Sequence, residues 1–147
     1  MSERNAGRKS PVIFTGCEMT NGMQAAAGGQ RRQVVIGGKR VKTIDVHAHC
    51  VVPEALALTG ETVQGQQFPN MDEVGPVRIA AMDKQGVDIE ALSINPSWYR
   101  QPRDLAAEIC RIQNEKLAEM CASYPDRFVA YASVTLQDPK LAAEQLE

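Results

Sequence analysis

The residues best suited to chemistry in this 147-residue sequence are its two histidines, His47 and His49, which stand two positions apart. The β-branched stretch before them is typical of a strand. Residues two apart on a strand point to the same side, with Cα atoms about 6.6 Å apart. Two neutral imidazoles placed in this way can bind one divalent cation such as zinc. The spacing therefore predicts a metal site, and the alternative is a pair of histidines with ordinary core or surface roles.

Two neighbours of the histidines carry side chains that could also bind a metal. Strict alternation puts Asp45 on the histidine side of the strand, with Ile44 and Val46 on the other side. Asp45 lies about 13 Å from His49 along an extended strand, so we expect it outside the coordination sphere. Cys50 projects away from His49, which makes a structural Cys-His zinc site the weaker alternative.

Further elements must hold this strand in place. Residues 34–36 and 40–46 predict two strands joined by a tight turn at Gly37 and Gly38, so that a hairpin leads into the core strand. Downstream, helix and strand patterns alternate. We predict helices at 53–58, 76–85 and 103–124, a loop at 60–70, strands at 87–94 and 128–134, and a last helix starting at Asp138-Pro139.

The spacing of the predicted strands indicates the fold class. Their centres lie about 42 to 45 residues apart with a helix between each pair, which is typical of parallel βαβ units. We therefore predict an α/β fold with about three βα units, the N-terminal part of a (β/α)8 TIM-type barrel. An open three-stranded sheet is the alternative. Residues 1–32 have the composition of a flexible leader, which leaves 33–147 as an incomplete barrel domain.

The loop after the second core strand contains the only tryptophan, Trp98, followed by Tyr99. In a barrel this loop overhangs the mouth, where active sites lie. We therefore predict that Trp98 and Tyr99 contact a planar acid substrate, and the alternative is that both rings pack within the loop.

Composition excludes several classes of function. The net charge is −2, from 16 basic and 18 acidic residues without a basic cluster, so we expect no nucleic-acid partner. No apolar run is long enough to cross a membrane or to act as a signal peptide, which predicts a cytoplasmic protein without a membrane partner. The four cysteines form no C-x-x-C pair and are expected to be reduced.

Three segments resemble the aminocarboxymuconate-semialdehyde decarboxylase-like branch of the amidohydrolase superfamily. They are residues 43–49, residues 78–93, and a third segment that begins at 114–117 and continues through 124–128 to 138–139. The resemblance implies a (β/α)8 barrel with one divalent metal, zinc or manganese, bound by the histidine pair of the first strand. Here that pair is His47 and His49. The further histidines and the aspartate that complete such a site have no match in this sequence, so no catalytic acid or base is assigned.

The resemblance also implies a function. We expect the N-terminal portion of a metal-dependent carboxy-lyase acting on an aromatic or muconate-type carboxylic acid, with the fragment alone inactive. A metal-dependent hydrolase of the same superfamily and a non-catalytic metal-binding or interaction domain are the alternatives. The expected partner is a small carboxylic acid, and a homo-oligomer of the whole protein is left open.

Overall fold

The computed structural model describes residues 13–14, 32–61 and 74–147. Its core is a four-stranded sheet in the order β1-β4-β5-β6, and β2 and β3 form a separate two-stranded sheet. The elements are β1 (Ile13–Phe14), β2 (Val34–Ile36), β3 (Lys39–Val41), β4 (Ile44–Val51), α1 (Pro53–Ala57), α2 (Val74–Gln85), β5 (Ile89–Ile94), a 3-10 turn (Trp98–Arg100), α3 (Arg103–Ser123), β6 (Phe128–Ala130) and α4 (Pro139–Glu144).

The central strands β4, β5 and β6 run parallel, as the spacing predicted. Each neighbouring pair is joined through helical segments, α1 and α2 between β4 and β5, and α3 between β5 and β6. The α/β class with a parallel sheet is therefore confirmed. Among the described residues, no helix is both long enough and apolar enough to span a membrane.

The hairpin is present, but its second strand is not continuous with the core strand as predicted. Gly37 and Gly38 form the turn with φ of 56° and 75°, conformations that glycine adopts without a steric penalty. Strand β3 ends at Val41, and the chain turns into the other sheet at Thr43. The Thr43 N–H donates to Asp88 Oδ2 at 2.8 Å, so a contact distant in sequence ends the strand there.

The helix limits agree closely with the sequence patterns. Helix α2 ends before Gly86, whose φ of 81° is the left-handed conformation that commonly follows a helix. Helix α4 begins after Asp138, whose Oδ1 accepts the Leu141 N–H at 3.1 Å as an N-cap. Most of the predicted 60–70 loop lies outside the described residues.

Strand β6 is shorter than the predicted 128–134 strand. The side-chain amide of Asn114 on α3 accepts the Ser133 N–H at 2.7 Å and donates to the Ser133 carbonyl at 2.8 Å. Because the amide satisfies both backbone groups, this segment does not continue the sheet.

The two faces of the sheet differ in burial. One face packs on the helices and forms the core, whose strand residues are Ala48, Cys50, Leu92 and Phe128, with Met82, Ile109 and Leu117 among the helix residues. Ile44, Val46, Val129 and Tyr131 are 49% to 67% exposed. The register places Ile44 and Val129 on the face opposite to Leu92.

A short strand lies within the predicted leader. Ile13 and Phe14 pair antiparallel with Val51 and Cys50 on the edge of β4. The Arg32 N–H donates to the Asp83 carbonyl at 2.9 Å. Residues 1–12 and 15–31 are outside the described ranges, so the flexible leader stays a prediction.

Candidate metal centre

An irregularity in β4 determines which side chains share a face with the histidines. Asp45 pairs with Glu90, but Ala48 pairs with Leu92, so β4 contains one more residue than β5 over this interval. This is a β-bulge, and it shifts the alternation of side chains by one position. The prediction that Asp45 shares the histidine face is wrong: the register puts Asp45 on the face of Glu90 and Leu92, towards the helices.

The two histidines converge, although His47 lies within the irregular interval of β4 and His49 lies after it. The Nε2 atoms of His47 and His49 are 2.7 Å apart, and the ring centroids are 4.6 Å apart with an interplanar angle of 78°. His47 lies in the middle of β4 and His49 in its carboxyl-terminal half. His47 is exposed and His49 is partly buried, so the pair faces an open region beside the sheet.

Each histidine is held through a different atom. The backbone N–H of His47 donates to Asp45 Oδ1 at 2.9 Å. Nδ1 of His49 lies 3.2 Å from Ser93 Oγ on the neighbouring strand β5. Asp45 therefore acts on the backbone at the bulge, although it lies on the other face, and Ser93 acts on an imidazole ring.

Sequence reasoning missed Ser93, although a signal was present. In a parallel pair, residues at equal height along two strands share a face, and His49 is paired with Ser93. The serine is a polar residue at the carboxyl end of a buried strand, next to the predicted site. The pairing of His49 with Ser93 depends on the bulge in β4, and the alternation of side chains in the sequence does not predict that bulge.

The donor set fits a divalent cation in part. Two imidazole nitrogens directed at each other are suitable ligands for zinc or manganese. Among residues 13–14, 32–61 and 74–147, however, no group of three or more histidine, cysteine or acidic side chains could hold a metal ion. Among the described residues, the candidate ligands are therefore only these two imidazoles, and a complete centre needs others.

Cys50 does not contribute to this donor set. Its side chain is fully buried on the helix-facing side, where the thiol donates to the Ser93 carbonyl at 3.5 Å. Burial raises the pKa of the Cys50 thiol to about 12. Because a metal binds the thiolate rather than the thiol, the environment opposes the alternative Cys-His zinc site.

A buried ion pair joins helix α2 to strand β5. Arg78 on α2 contacts both carboxylate oxygens of Glu90, with Nε–Oε2 and Nη2–Oε1 distances of 2.8 Å and 2.7 Å. The Glu90 side chain is only 1% exposed and that of Arg78 is 11% exposed. Burial raises the pKa of the Glu90 carboxyl, although the hydrogen bond and charge of Arg78 act in the opposite direction.

The two predicted substrate-contacting aromatics have different environments. Trp98 is 4% exposed, and its Nε1–H donates to the Val134 carbonyl at 3.0 Å. Tyr99 is 41% exposed, and its ring centroid lies 5.2 Å from that of Trp98. Trp98 therefore packs in the core and supports Tyr99, which presents its ring to solvent. Contact of either ring with a substrate stays a prediction.

Comparison with known proteins identifies relatives of this chain. No protein-family profile matches it. A gamma-resorcylate decarboxylase of Rhizobium sp. (strain MTP-10005) is 36% identical over 110 residues, which cover 71% of this chain and 34% of the relative. The Rhodococcus jostii (strain RHA1) enzyme of the same name is 36% identical over 109 residues, covering 70% and 33%. The chain is homologous to the gamma-resorcylate decarboxylases. It spans about a third of the length of these curated relatives.

Solved structures agree with this homology. A 2,6-dihydroxybenzoate decarboxylase in complex with 2,6-dihydroxybenzoate matches with a TM-score of 0.55 and 33% identity, over 71% of this chain and 33% of that one. The dihydroxybenzoic acid decarboxylase of Polaromonas sp. JS666, with bound manganese and the inhibitor 2-nitroresorcinol, has a TM-score of 0.59 and 29% identity, over 72% and 34%. A Staphylococcus aureus structure assigned provisionally to the amidohydrolases has a TM-score of 0.58 and 29% identity, over 71% and 32%. The resemblance to the decarboxylase branch of the amidohydrolases is therefore confirmed.

Proposed function

We propose that this chain provides the N-terminal part of a metal-dependent carboxy-lyase that removes carbon dioxide from a hydroxylated aromatic acid. The observation that carries the proposal is the 2.7 Å approach of the His47 and His49 Nε2 atoms on the parallel strand β4, with His49 in its carboxyl-terminal half. Active sites of α/β barrels lie at this end of their strands. The homology to gamma-resorcylate decarboxylases favours an aromatic acid over a muconate-type acid.

The proposal includes the architecture of the whole protein. The β4, β5 and β6 strands with their helices form the first three units of a (β/α)8 barrel within 33–147, and residues 1–32 are a leader from which Ile13–Phe14 pair with β4. The exposed apolar side chains on the histidine face support this assignment, because the inner face of a barrel is filled with branched and apolar side chains. The one-third coverage of the relatives is consistent with it.

The chain's own residues have defined tasks in this proposal. His47 and His49 hold a divalent metal, either the manganese that the Polaromonas structure contains or zinc. When bound, the metal supplies Lewis acidity that stabilises negative charge on a substrate oxygen. The Asp45 carboxylate holds the His47 backbone. Proton transfer to the carbon that loses carbon dioxide is assigned to no residue of this chain.

The aromatic loop supplies substrate contacts in this proposal. Tyr99 offers an exposed ring face to a planar acid, and Trp98 holds the loop through its hydrogen bond to the Val134 carbonyl. Trp98 thus contributes to the substrate site mainly through the position of its neighbour.

A chimaera tests the proposal. Residues 34–147 replace the matching third of the Rhizobium gamma-resorcylate decarboxylase, and release of carbon dioxide from 2,6-dihydroxybenzoate is measured with Mn²⁺. We expect activity that falls at least about 100-fold in His47→Ala and His49→Ala, together with loss of bound metal. Asp126 is exposed and precedes β6, at the opposite end of the strands from the candidate site. The control variant Asp126→Asn should therefore retain both the activity and the bound metal.

Two other outcomes of this experiment identify the alternatives. Hydrolysis of an amide or lactone without release of carbon dioxide from any carboxylate would favour a hydrolase of the same superfamily. A folded chimaera that binds metal through the two histidines but neither releases carbon dioxide nor hydrolyses an amide or lactone would indicate a non-catalytic metal-binding domain.

A further inference from the structure

Ser93 contacts the ring of one candidate ligand at the atom that would face away from a metal. Its Oγ lies 3.2 Å from Nδ1 of His49, whose Nε2 points towards His47. We infer that Ser93 is a positioning residue that fixes His49 as the Nδ1–H tautomer and so keeps its Nε2 available for a metal. The metal-binding consequence rests on the proposed function, whereas the choice of tautomer does not.

The geometry of the pair leaves two arrangements of hydrogen atoms. Because the two Nε2 atoms are 2.7 Å apart, one of them donates a hydrogen bond to the other when both rings are neutral. If Ser93 Oγ accepts from His49 Nδ1–H, then His49 Nε2 is the acceptor and His47 Nε2–H is the donor. If the serine hydroxyl instead donates to His49 Nδ1, then His49 Nε2–H is the donor and His47 Nε2 is the acceptor.

Metal binding distinguishes these arrangements. A histidine that binds through Nε2 must carry its hydrogen on Nδ1, and such a ligand usually donates that N–H to a neighbouring oxygen. Ser93 Oγ occupies this position beside His49. The first arrangement therefore has one ligand already in its binding form before a metal arrives.

The same reasoning makes the two histidines unequal. Among the hydrogen bonds of the described residues, none reaches Nδ1 of His47, which is held through its backbone N–H instead. In the first arrangement His47 carries its hydrogen on Nε2 and must move it to Nδ1 to bind a metal. Ser93 thus prepares His49, and His47 is the ligand that rearranges.

The β5 register makes this contact a fixed feature of the sheet. His49 and Ser93 are paired residues of neighbouring parallel strands, and Ser93 is followed by only one more strand residue. The serine therefore keeps its distance from the imidazole without depending on loop conformation. Substituting the side chain leaves the backbone ladder intact.

Nitrogen-15 NMR of the full 147-residue chain, without metal, tests the tautomer directly. The chain has only two histidines, so the variant His47→Gln assigns their ring signals unambiguously. We expect His49 to be the Nδ1–H tautomer at a pH where both rings are neutral. In Ser93→Ala the Nε2–H tautomer of His49 should become substantially populated, and Ser93→Thr should restore the original state because it keeps the hydroxyl.

Titration with Mn²⁺ alone supplies the second readout, because the ion broadens ring signals close to it. We expect the Mn²⁺ dissociation constant to rise about 10-fold to 100-fold in Ser93→Ala and to recover in Ser93→Thr. An Nε2–H tautomer of His49 in the unaltered chain, or an unchanged tautomer in a folded Ser93→Ala chain, would overturn the inference. Tautomer control by Ser93 without Mn²⁺ binding would support the inference and count against the proposed metal function.

Discussion

Replacing Arg78 with methionine should destabilise the domain in a strongly pH-dependent manner. The substitution keeps most of the apolar stem but removes both contacts to Glu90, whose carboxylate oxygens lie 2.8 Å and 2.7 Å from the guanidinium nitrogens. Glu90 is 1% exposed, so water cannot replace the lost partner. Removal of one member of a buried ion pair typically costs about 3–5 kcal/mol.

The uptake of a proton by Glu90 limits this cost. Without Arg78, the buried Glu90 carboxylate can take up a proton instead of remaining charged, and each pH unit above its ordinary pKa of 4.5 makes this step about 1.4 kcal/mol more costly. The cost of leaving Glu90 without Arg78 is therefore limited to about 3.4 kcal/mol at pH 7 and about 0.7 kcal/mol at pH 5. We expect the destabilisation to be about 3 kcal/mol at pH 7 and less than about 1 kcal/mol at pH 5.

The direction of the pH dependence follows from the raised pKa of Glu90. The folded state binds this proton more tightly than the unfolded state, so stability is lost as the pH rises from about 4.5 through the folded pKa. Arg78 reduces that loss in the unaltered chain. The loss should be larger in Arg78→Met because burial is then opposed only by the charge of Arg127.

Urea denaturation followed by circular dichroism at several pH values measures this effect. The double variant Arg78→Met/Glu90→Gln should lack the pH dependence of stability that Arg78→Met alone introduces. Arg111, an exposed arginine that contacts Glu108 and Glu115, provides the matched control, and Arg111→Met should have little effect on stability at either pH. An equal loss of stability for Arg78→Met at pH 5 and pH 7 would refute the electrostatic reasoning.

Three substitutions and one chemical modification test other contacts. Gly86→Ala should lower the free energy of unfolding by about 1–2 kcal/mol in urea denaturation, because alanine is strained at φ of 81°. Trp98→Phe should cost about 1–2 kcal/mol through loss of the hydrogen bond to the Val134 carbonyl, whereas Tyr99→Phe should cost less than about 0.5 kcal/mol; equal effects would contradict this account. Cys110 should resist alkylation by iodoacetamide at pH 8 until the chain is unfolded, because burial raises the pKa of its thiol; mass spectrometry detects the modification.

Local patterns predicted most elements because the signals that define them are local. Gly86 ends α2 and Asp138 caps α4 at the expected positions. The limits of strands depended on contacts distant in sequence. Thr43 ends the hairpin by bonding Asp88, and the Asn114 side chain takes the backbone groups of Ser133 that would have continued β6.

The candidate site shows the same division between local and distant information. The His-x-His spacing was enough to predict that the two rings meet, since it needs only the two-residue period of a strand. It was not enough to place Asp45, because one extra residue in β4 reverses the faces on either side of the bulge. Ser93 could be found only once the register between β4 and β5 was known.

The bulge also explains how one strand can provide both a core face and a polar site. Without it, Asp45 would lie on the open face with the histidines, and Ile44 and Val46 would face the helices. With it, Asp45 lies beside Glu90, and its carboxylate bonds the His47 N–H at the point where the ladder is interrupted. A bulge leaves a backbone group without its strand partner, and here the aspartate satisfies that group. The irregularity and the residue that compensates for it therefore position His47, while Ser93 on the neighbouring strand β5 orients His49.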